Sequence, residues 1–287
     1  MPVDKPAFGV LIFPTDYAIT PAVLAAAVEA RGFESLFFTE HTHIPVSRRS
    51  PWPGGAELPQ EYWHTHDPFV ALGMAAAVTR SLKLGTGITL VTERDPILMA
   101  KQVATLDFLS GGRVVLGVGA GWNAEEMAHH GTLFAQRWKI LRERVLAMRT
   151  IWCEEEPQFH GEFVDFDPIW SWPKPAQDGG PPILIGASSK YVFDRVAEYG
   201  DGWMPIDGRN DQILEAGVAQ LRAACKARGR DFAELDLSVF GVRPEPARIE
   251  RLVELGFRRL IFGLPPADAD TVIPLLDHHA ELAARFA

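Results

Sequence analysis

Cysteine is nearly absent from the chain: 287 residues hold two, Cys153 and Cys225. Their separation fits neither a redox pair nor a metal-ligand spacing, and a reducing, cytoplasmic setting is expected. Positive charge is in deficit as well, with 28 Lys+Arg against 37 Asp+Glu and a net charge of −9, so no nucleic-acid partner is expected. Long apolar runs are missing. The first, Ala7–Phe13, is too short for a signal peptide or a membrane span, and no membrane association is expected. No Pro- or Ser-rich linker and no low-complexity segment breaks the chain, which reads as one domain over residues 1–287.

What fills the chain is an alternation of short apolar strands and helices. Strands are predicted over Ala7–Phe13, Ser35–Thr39, Leu82–Leu90, Arg113–Val118, Ile183–Gly186, Gly202–Ile206, Leu235–Phe240 and Arg259–Phe262. They are apolar along their length, as strands covered on both faces are. Thr20-Pro21, Asp67-Pro68 and Asp95-Pro96 each place a capping side chain before a proline, a strong helix start. A long helix is predicted over Thr132–Trp152, with Trp138, Leu141, Val145, Met148 and Trp152 as its buried stripe or subunit contact. Two stretches are irregular. Glu40–His66, after the second strand, is too long for an ordinary connection and reads as either a functional lid or a flexible insert. Glu154–Pro182, before the fifth strand, contains a hairpin-like QFHGEFVDFD and reads as structural, on the face away from the site. Eight strands alternating with eight helices predict a (β/α)8 TIM barrel with insertions after strand two and before strand five. A dinucleotide fold would need GxGxxG after the first strand, where Phe13-Pro14-Thr15-Asp16 stands instead.

In such a barrel the chemistry gathers where strands end. Those positions carry Glu40, His41, Thr89, Gly119, Ala120, Gly121, Asn123, Asp207 and Arg243, with few paired carboxylates and no nucleophile elbow. The set suits a planar cofactor that brings its own chemistry, and the bare glycines 117, 119 and 121 are expected to leave room for it. Gly186-Ala187-Ser188-Ser189-Lys190 is expected to run from a strand directly into a helix, whose free N–H groups and two hydroxyls form a candidate anion site. His41-Thr42-His43 and His64-Thr65-His66 have a metal-ligand spacing but follow the wrong strand for a metallohydrolase, and no metal site is expected. His129-His130 and His278-His279 are expected on helix surfaces.

These segments resemble the luciferase-like monooxygenase superfamily, in its coenzyme F420-dependent actinobacterial branch. The likeness is carried by Thr39-Glu40-His41, Leu84-Gly85-Thr86-Gly87-Ile88, Arg94-Asp95-Pro96 and Leu109-Ser110-Gly111-Gly112-Arg113. It continues through Gly117-Val118-Gly119-Ala120-Gly121-Trp122-Asn123, Trp138 and Tyr199-Gly200-Asp201-Gly202-Trp203, over nearly the whole chain. The resemblance implies a homodimeric barrel binding F420, or alternatively FMN, at the strand ends. It further implies a cis peptide at Gly87-Ile88 backing the ring, Glu40 and His41 as the catalytic pair, and phosphate contacts from Gly186, Ala187, Ser188 and Ser189.

Trp122 departs from the sugar-phosphate dehydrogenases of that superfamily, which carry a catalytic carboxylate there. A hydrophobic or planar substrate is the expectation, held near Trp122, Asn123 and Arg243. The expected activity is F420-dependent hydride transfer to or from a small molecule. The alternatives are an FMN-dependent monooxygenase served by a separate reductase, and a non-catalytic flavin-binding barrel.

Overall fold

Asp–Pro pairs start two of the helices as their chemistry dictates. Asp67 accepts from the N–H groups of Phe69 and Val70, and Asp95 from that of Leu98. The computed structural model describes residues 5–55, 57–208 and 211–286. Its first half runs β1 (Ala7–Ile12), α1 (Pro21–Ala30), β2 (Ser35–Phe38), the short α2 (Glu61–His64), α3 (Pro68–Val78), β3 (Lys83–Thr86), β4 (Thr89–Leu90), α4 (Pro96–Ser110) and β5 (Val114–Gly119). Then follow α5 (Ala124–His129), α6 (Arg137–Cys153), the hairpin β6 (Phe159–His160) and β7 (Asp165–Phe166), β8 (Ile183–Ile185) and α7 (Val192–Tyr199). The chain closes with β9 (Gly202–Trp203), α8 (Asp211–Ala227), β10 (Asp236–Val242), α9 (Pro246–Glu254), β11 (Arg259–Gly263) and α10 (Ala269–Ala283).

The strands form a closed parallel ring. β1 lies between β2 and β11, the order continues through β10, β9 and β8 to β5, and β3 closes on β5 through Leu84↔Val114. β3 and β4 act as one stave interrupted at Gly87-Ile88, whose peptide is cis, so the ring has eight staves. Register places Thr89 beside Val118 and Leu90 beside Gly119, which brings the segments that follow β4 and β5 together at the barrel mouth.

Apolar side chains fill two layers. Leu11, Phe37, Val115, Leu184, Met204 and Ile261 plug the barrel interior, while a larger shell packs between the strands and the helices. The interior is tight enough to require glycine at particular points. A Cβ on Gly117 would run into the Thr86 carbonyl oxygen and the Met204 methyl.

Four expectations are corrected. The long helix begins at Arg137 rather than Thr132, because α5 and a single 3-10 turn over Phe134–Gln136 precede it. The stretch after Gly186 does not enter a helix directly, since α7 starts only at Val192. His279 is buried rather than on the surface, stacked on Phe262 at 4.8 Å, and burial beside His278 pushes its pKa down to about 4. The β6–β7 hairpin does not stay on the far face. Glu143 of α6 accepts from the N–H groups of Glu162, Phe163 and Val164, so the hairpin folds back along α6 and reaches the residues that follow β4. Among the described residues no helix is long and apolar enough to cross a membrane.

Gly117→Ala is expected to lower unfolding stability by about 1–3 kcal/mol through overpacking, measured by urea denaturation. Unchanged stability would mean that Thr86 and Met204 can move aside.

Candidate active site at the barrel mouth

Beyond Phe38 the chain crosses the mouth as Thr39-Glu40-His41. Glu40 is buried, and both its oxygens are occupied. Oε1 accepts from Arg94 Nε at 2.7 Å and from Arg94 Nη2; Oε2 accepts from the Leu90 N–H at 2.7 Å and from the Thr89 hydroxyl. Arg94 also donates to Asp67 at 2.6 Å and lies over the Phe69 ring. One carboxylate thus ties the end of β2 to β4, to the turn after it, and through Arg94 to the cap of α3. A charge so paired can be buried without the penalty an isolated one would carry.

His41 follows directly. Its Nδ1 lies 2.8 Å from Glu126 Oε2, and Glu126 Oε1 accepts from the Thr42 N–H at 3.1 Å. Nε2 has no protein partner among the described residues. Tyr62 and Trp122 pack against the imidazole with ring centroids 5.2 and 5.8 Å away, and Trp52 packs on Tyr62. Together they leave the His41 side chain 7% exposed. Arg48 sits over Trp122, so Trp122 packs against the lid. The lid itself is fastened to the loop after β1, by a Thr15–Thr65 bridge, by the His66 N–H on the Pro14 carbonyl, and by His64 on Asp16.

A third carboxyl group completes the cluster. Glu93, in the turn after β4, is buried, and neither of its oxygens accepts from a donor among the described residues. Burial and the neighbouring charges of Glu126 and Glu40 push its pKa up to about 9. On the outer side it borders a cleft of about 360 Å³ shared with Arg94, His130, Arg144 and the hairpin residues Phe163–Phe166. Beside this cleft Thr42 links His43 at 2.9 Å to His130 at 2.7 Å, and His43 contacts His129 at 2.8 Å. Among the described residues no group of three or more His, Cys, Asp or Glu is arranged to hold a metal ion.

The other expected site residues are distributed unevenly. Ile88 occupies the space that a Cβ on Gly119 or on Gly186 would need, so those two glycines make room for Ile88 rather than for a ligand. Gly87 packs on Leu11, Thr89 is committed to Glu40, and the Ala120 carbonyl accepts from Thr92 at 3.3 Å. Gly121 takes a positive φ of 73° against Met127. Asn123 is buried as the cap of α5, accepting from the Glu126 N–H. The Ala187 carbonyl accepts from the Trp203 indole at 2.8 Å, while Ser188 and Ser189 are exposed, their hydroxyls without a partner among the described residues. Arg243, just past the end of β10, is largely exposed and 3.9 Å from Glu245.

Sequence reasoning passed over Glu93 and Glu126, which sit just past the β4 and β5 ends. It also passed over Tyr62 in the lid, and over Arg137 and Arg195. The last two each carry a buried guanidinium nitrogen without a partner. Burial and mutual repulsion lower the Arg137 pKa. The pairing Leu90↔Gly119 was the signal that would have joined Glu93 to Glu126.

Because the Glu93 pKa is raised from 4.5 to about 9, the folded protein holds a proton there that the unfolded chain has released. Stability therefore falls as pH rises across that window. In thermal unfolding, Glu93→Gln should gain on the wild type steadily from the acid to the alkaline end of it. A difference that does not vary with pH would contradict the assignment.

Comparison with known proteins agrees with this architecture. The chain is 41% identical over 283 residues to an uncharacterised protein of Mycobacterium tuberculosis, covering 98% of each. It is 30% identical over 211 residues to an F420-dependent hydroxymycolic acid dehydrogenase of the same species, covering 72% of this chain and 54% of that one. Among solved structures it superposes on the monooxygenase RslO1 of Streptomyces bottropensis with a TM-score of 0.81 at 21% identity, covering 98% of this chain and all (100%) of that one. It superposes on the coenzyme F420-dependent tetrahydromethanopterin reductase of Methanopyrus kandleri with a TM-score of 0.77 at 18% identity, covering 99% and 100%. The profile of the luciferase-like monooxygenases matches residues 20–284. With its closed parallel barrel and its His41-centred mouth, the chain belongs to the luciferase-like monooxygenase family of oxidoreductases.

Proposed function

We propose that the protein is a cytoplasmic F420-dependent oxidoreductase that moves a hydride between the deazaflavin and a small, hydrophobic or planar substrate. The observation that carries this reading is His41, held through Nδ1 by Glu126 with Nε2 unpartnered under an aromatic lid. The 30% identity to an F420-dependent dehydrogenase supports it.

The residues present fit such a cofactor. Thr15 and Thr39, past the ends of β1 and β2, keep buried hydroxyls with no partner, as a flat ring rich in carbonyl and N–H groups would require. Ile88 supplies an apolar support, wedged under Gly119 and Gly186. The exposed Ser188 and Ser189 hydroxyls, with Lys190 over the Tyr191 ring beside them, offer donors to a phosphate. The bound deazaflavin would donate or accept the hydride. His41 Nε2 gives up or takes the accompanying proton, Glu126 fixes the opposite ring nitrogen, and Glu40 holds the whole turn through Arg94. Trp122, Tyr62 and Trp52 exclude water and present flat apolar faces to substrate.

A second reading, an FMN-dependent monooxygenase supplied by a separate reductase, draws on the likeness to RslO1. Tryptophan-fluorescence titration separates the two. Saturable quenching by F420 with little response to FMN is expected, and the reverse would contradict the proposal. His41→Ala should then lower kcat by about 10²–10⁴-fold without weakening cofactor binding.

We also propose a homodimer. Val70, Met74 and Val78 form an exposed apolar stripe along α3, and Leu98 extends it on the adjacent α4; a second copy of the chain would bury this face. Sedimentation velocity should show a dimer that Met74→Glu converts to monomer. A wild-type monomer would refute it.

A further inference from the structure

Glu93 is the buried acid that hydride transfer leaves without a role. Its side chain is 1% exposed, neither oxygen accepts from a donor among the described residues, and the Glu126 carboxyl group stands within side-chain hydrogen-bond reach. The groups facing it come from every neighbouring element. They are Glu40 after β2, Arg94 and Asp95 in its own turn, Glu126 of α5, His130 just beyond α5, Arg144 of α6 and Asp165 of β7 across the cleft. Among the described residues none forms an ion pair with it at hydrogen-bond distance. Arg94 donates to Glu40, Asp67 and Gln102. Arg144 donates to the Val91 carbonyl at 2.9 Å, and its Nε reaches no acceptor. His130 Nε2 stands 3.9 Å from Glu93 Oε2 but is engaged with the Thr42 hydroxyl at 2.7 Å.

An unpaired carboxylate in such a place is strongly disfavoured, so Glu93 keeps its proton. Buried, that O–H needs an acceptor, and two carboxylates are near. Glu40 already accepts four hydrogen bonds, two on each oxygen. Glu126 accepts one on each, from His41 Nδ1 and from the Thr42 N–H. Open lone pairs therefore remain on Glu126 and not on Glu40.

We propose that Glu93 serves as a neutral hydrogen-bond donor to Glu126. It thereby keeps Glu126 ionised as the acceptor of the His41 Nδ1–H and leaves Nε2 as the atom that exchanges a proton with substrate. Glu93 is thus a positioning residue that acts through Glu126. Its placement stands on the geometry, while its catalytic consequence rests on His41 moving the proton that accompanies the hydride. In the reducing direction the hydride forms the new bond to substrate and the Nε2 proton goes to the atom that gains the displaced electron pair. The imidazolium becomes imidazole, with Nδ1–H still on Glu126 and the Glu93 proton still in place. In the oxidising direction Nε2 takes the proton instead. Without the Glu93 donor, Glu126 becomes the stronger base and the Glu126–His41 pair takes up one proton from solvent: Nε2 binds it while the Nδ1 proton passes to Glu126, leaving His41 as the Nε2–H tautomer.

The test uses the full chain, labelled with ¹⁵N-histidine and free of cofactor, with His41 assigned from His41→Ala. Long-range ¹⁵N–¹H spectra at neutral pH should show Nδ1–H in the wild type and in Glu93→Gln, and Nε2–H in Glu93→Met. The same tautomer in all three would overturn the proposal. Infrared difference spectra of the wild type against Glu93→Gln should also show a protonated carboxyl stretch at neutral pH, a readout that survives should Glu93→Met fail to fold; an ionised Glu93 would equally overturn it. With F420 bound, Glu93→Gln should keep the wild-type kcat at neutral pH and lose its alkaline limb, while Glu93→Met should lose about tenfold or more in kcat with little change in KM. The spectra need no cofactor, so a wrong cofactor assignment leaves them intact, whereas a uniform His41 tautomer defeats the proposal even in an active enzyme.

Discussion

The ion pair between Glu40 and Arg94 is the constraint on which the mouth of this barrel depends. It forms where a strand end, a broken stave and a helix cap meet, with Glu40 buried and Arg94 reaching the outer cleft. Each partner would be costly alone; together, with the Thr89 hydroxyl and the Leu90 N–H, they lock the residues on either side. Glu40 is one residue before His41, and Thr89 is one residue after Ile88. A single clamp therefore fixes both the proton-transfer group and the apolar wedge under Gly119 and Gly186.

From that clamp the electrostatics follow. Three carboxyl groups lie close together, with one arginine and one histidine to balance them. Glu40 takes the arginine and Glu126 takes the histidine. Glu93 is left to carry its proton instead of a charge, which is why burial and its neighbours raise its pKa to about 9. The lid matters for the same reason. By shielding His41 with Tyr62 and Trp122 it lowers the local dielectric, and a mispaired charge there becomes more expensive.

Much of this fold was legible in the sequence because its signals are local. Apolar runs marked the strands, Asp67-Pro68 and Asp95-Pro96 marked helix starts, and the motif around Gly87-Ile88 marked the break in the third stave. The errors arose where the outcome depends on closure. Glu93 and Glu126 are ordinary surface-type residues until β4 and β5 pair and bring their loops together. Gly119 looked like space for a ligand, but the Ile88 side chain from a neighbouring stave fills it. His279 read as a helix-surface histidine, since nothing near it in the chain announces the Phe262 ring that covers it. The hairpin after α6 was assigned to the far face by strand-helix order alone, and order does not fix the direction in which an insertion folds back.

The central claim is that His41 and its carboxylates manage a proton for hydride transfer to or from a deazaflavin. Anaerobic single turnover is its most direct measurement: protein with reduced F420 is mixed with a panel of planar and hydrophobic carbonyl compounds, and cofactor oxidation is followed with and without oxygen. The account predicts substrate-dependent oxidation of the cofactor that proceeds without oxygen and collapses in His41→Ala. Turnover that requires oxygen and reduced FMN, and is indifferent to His41, would contradict it.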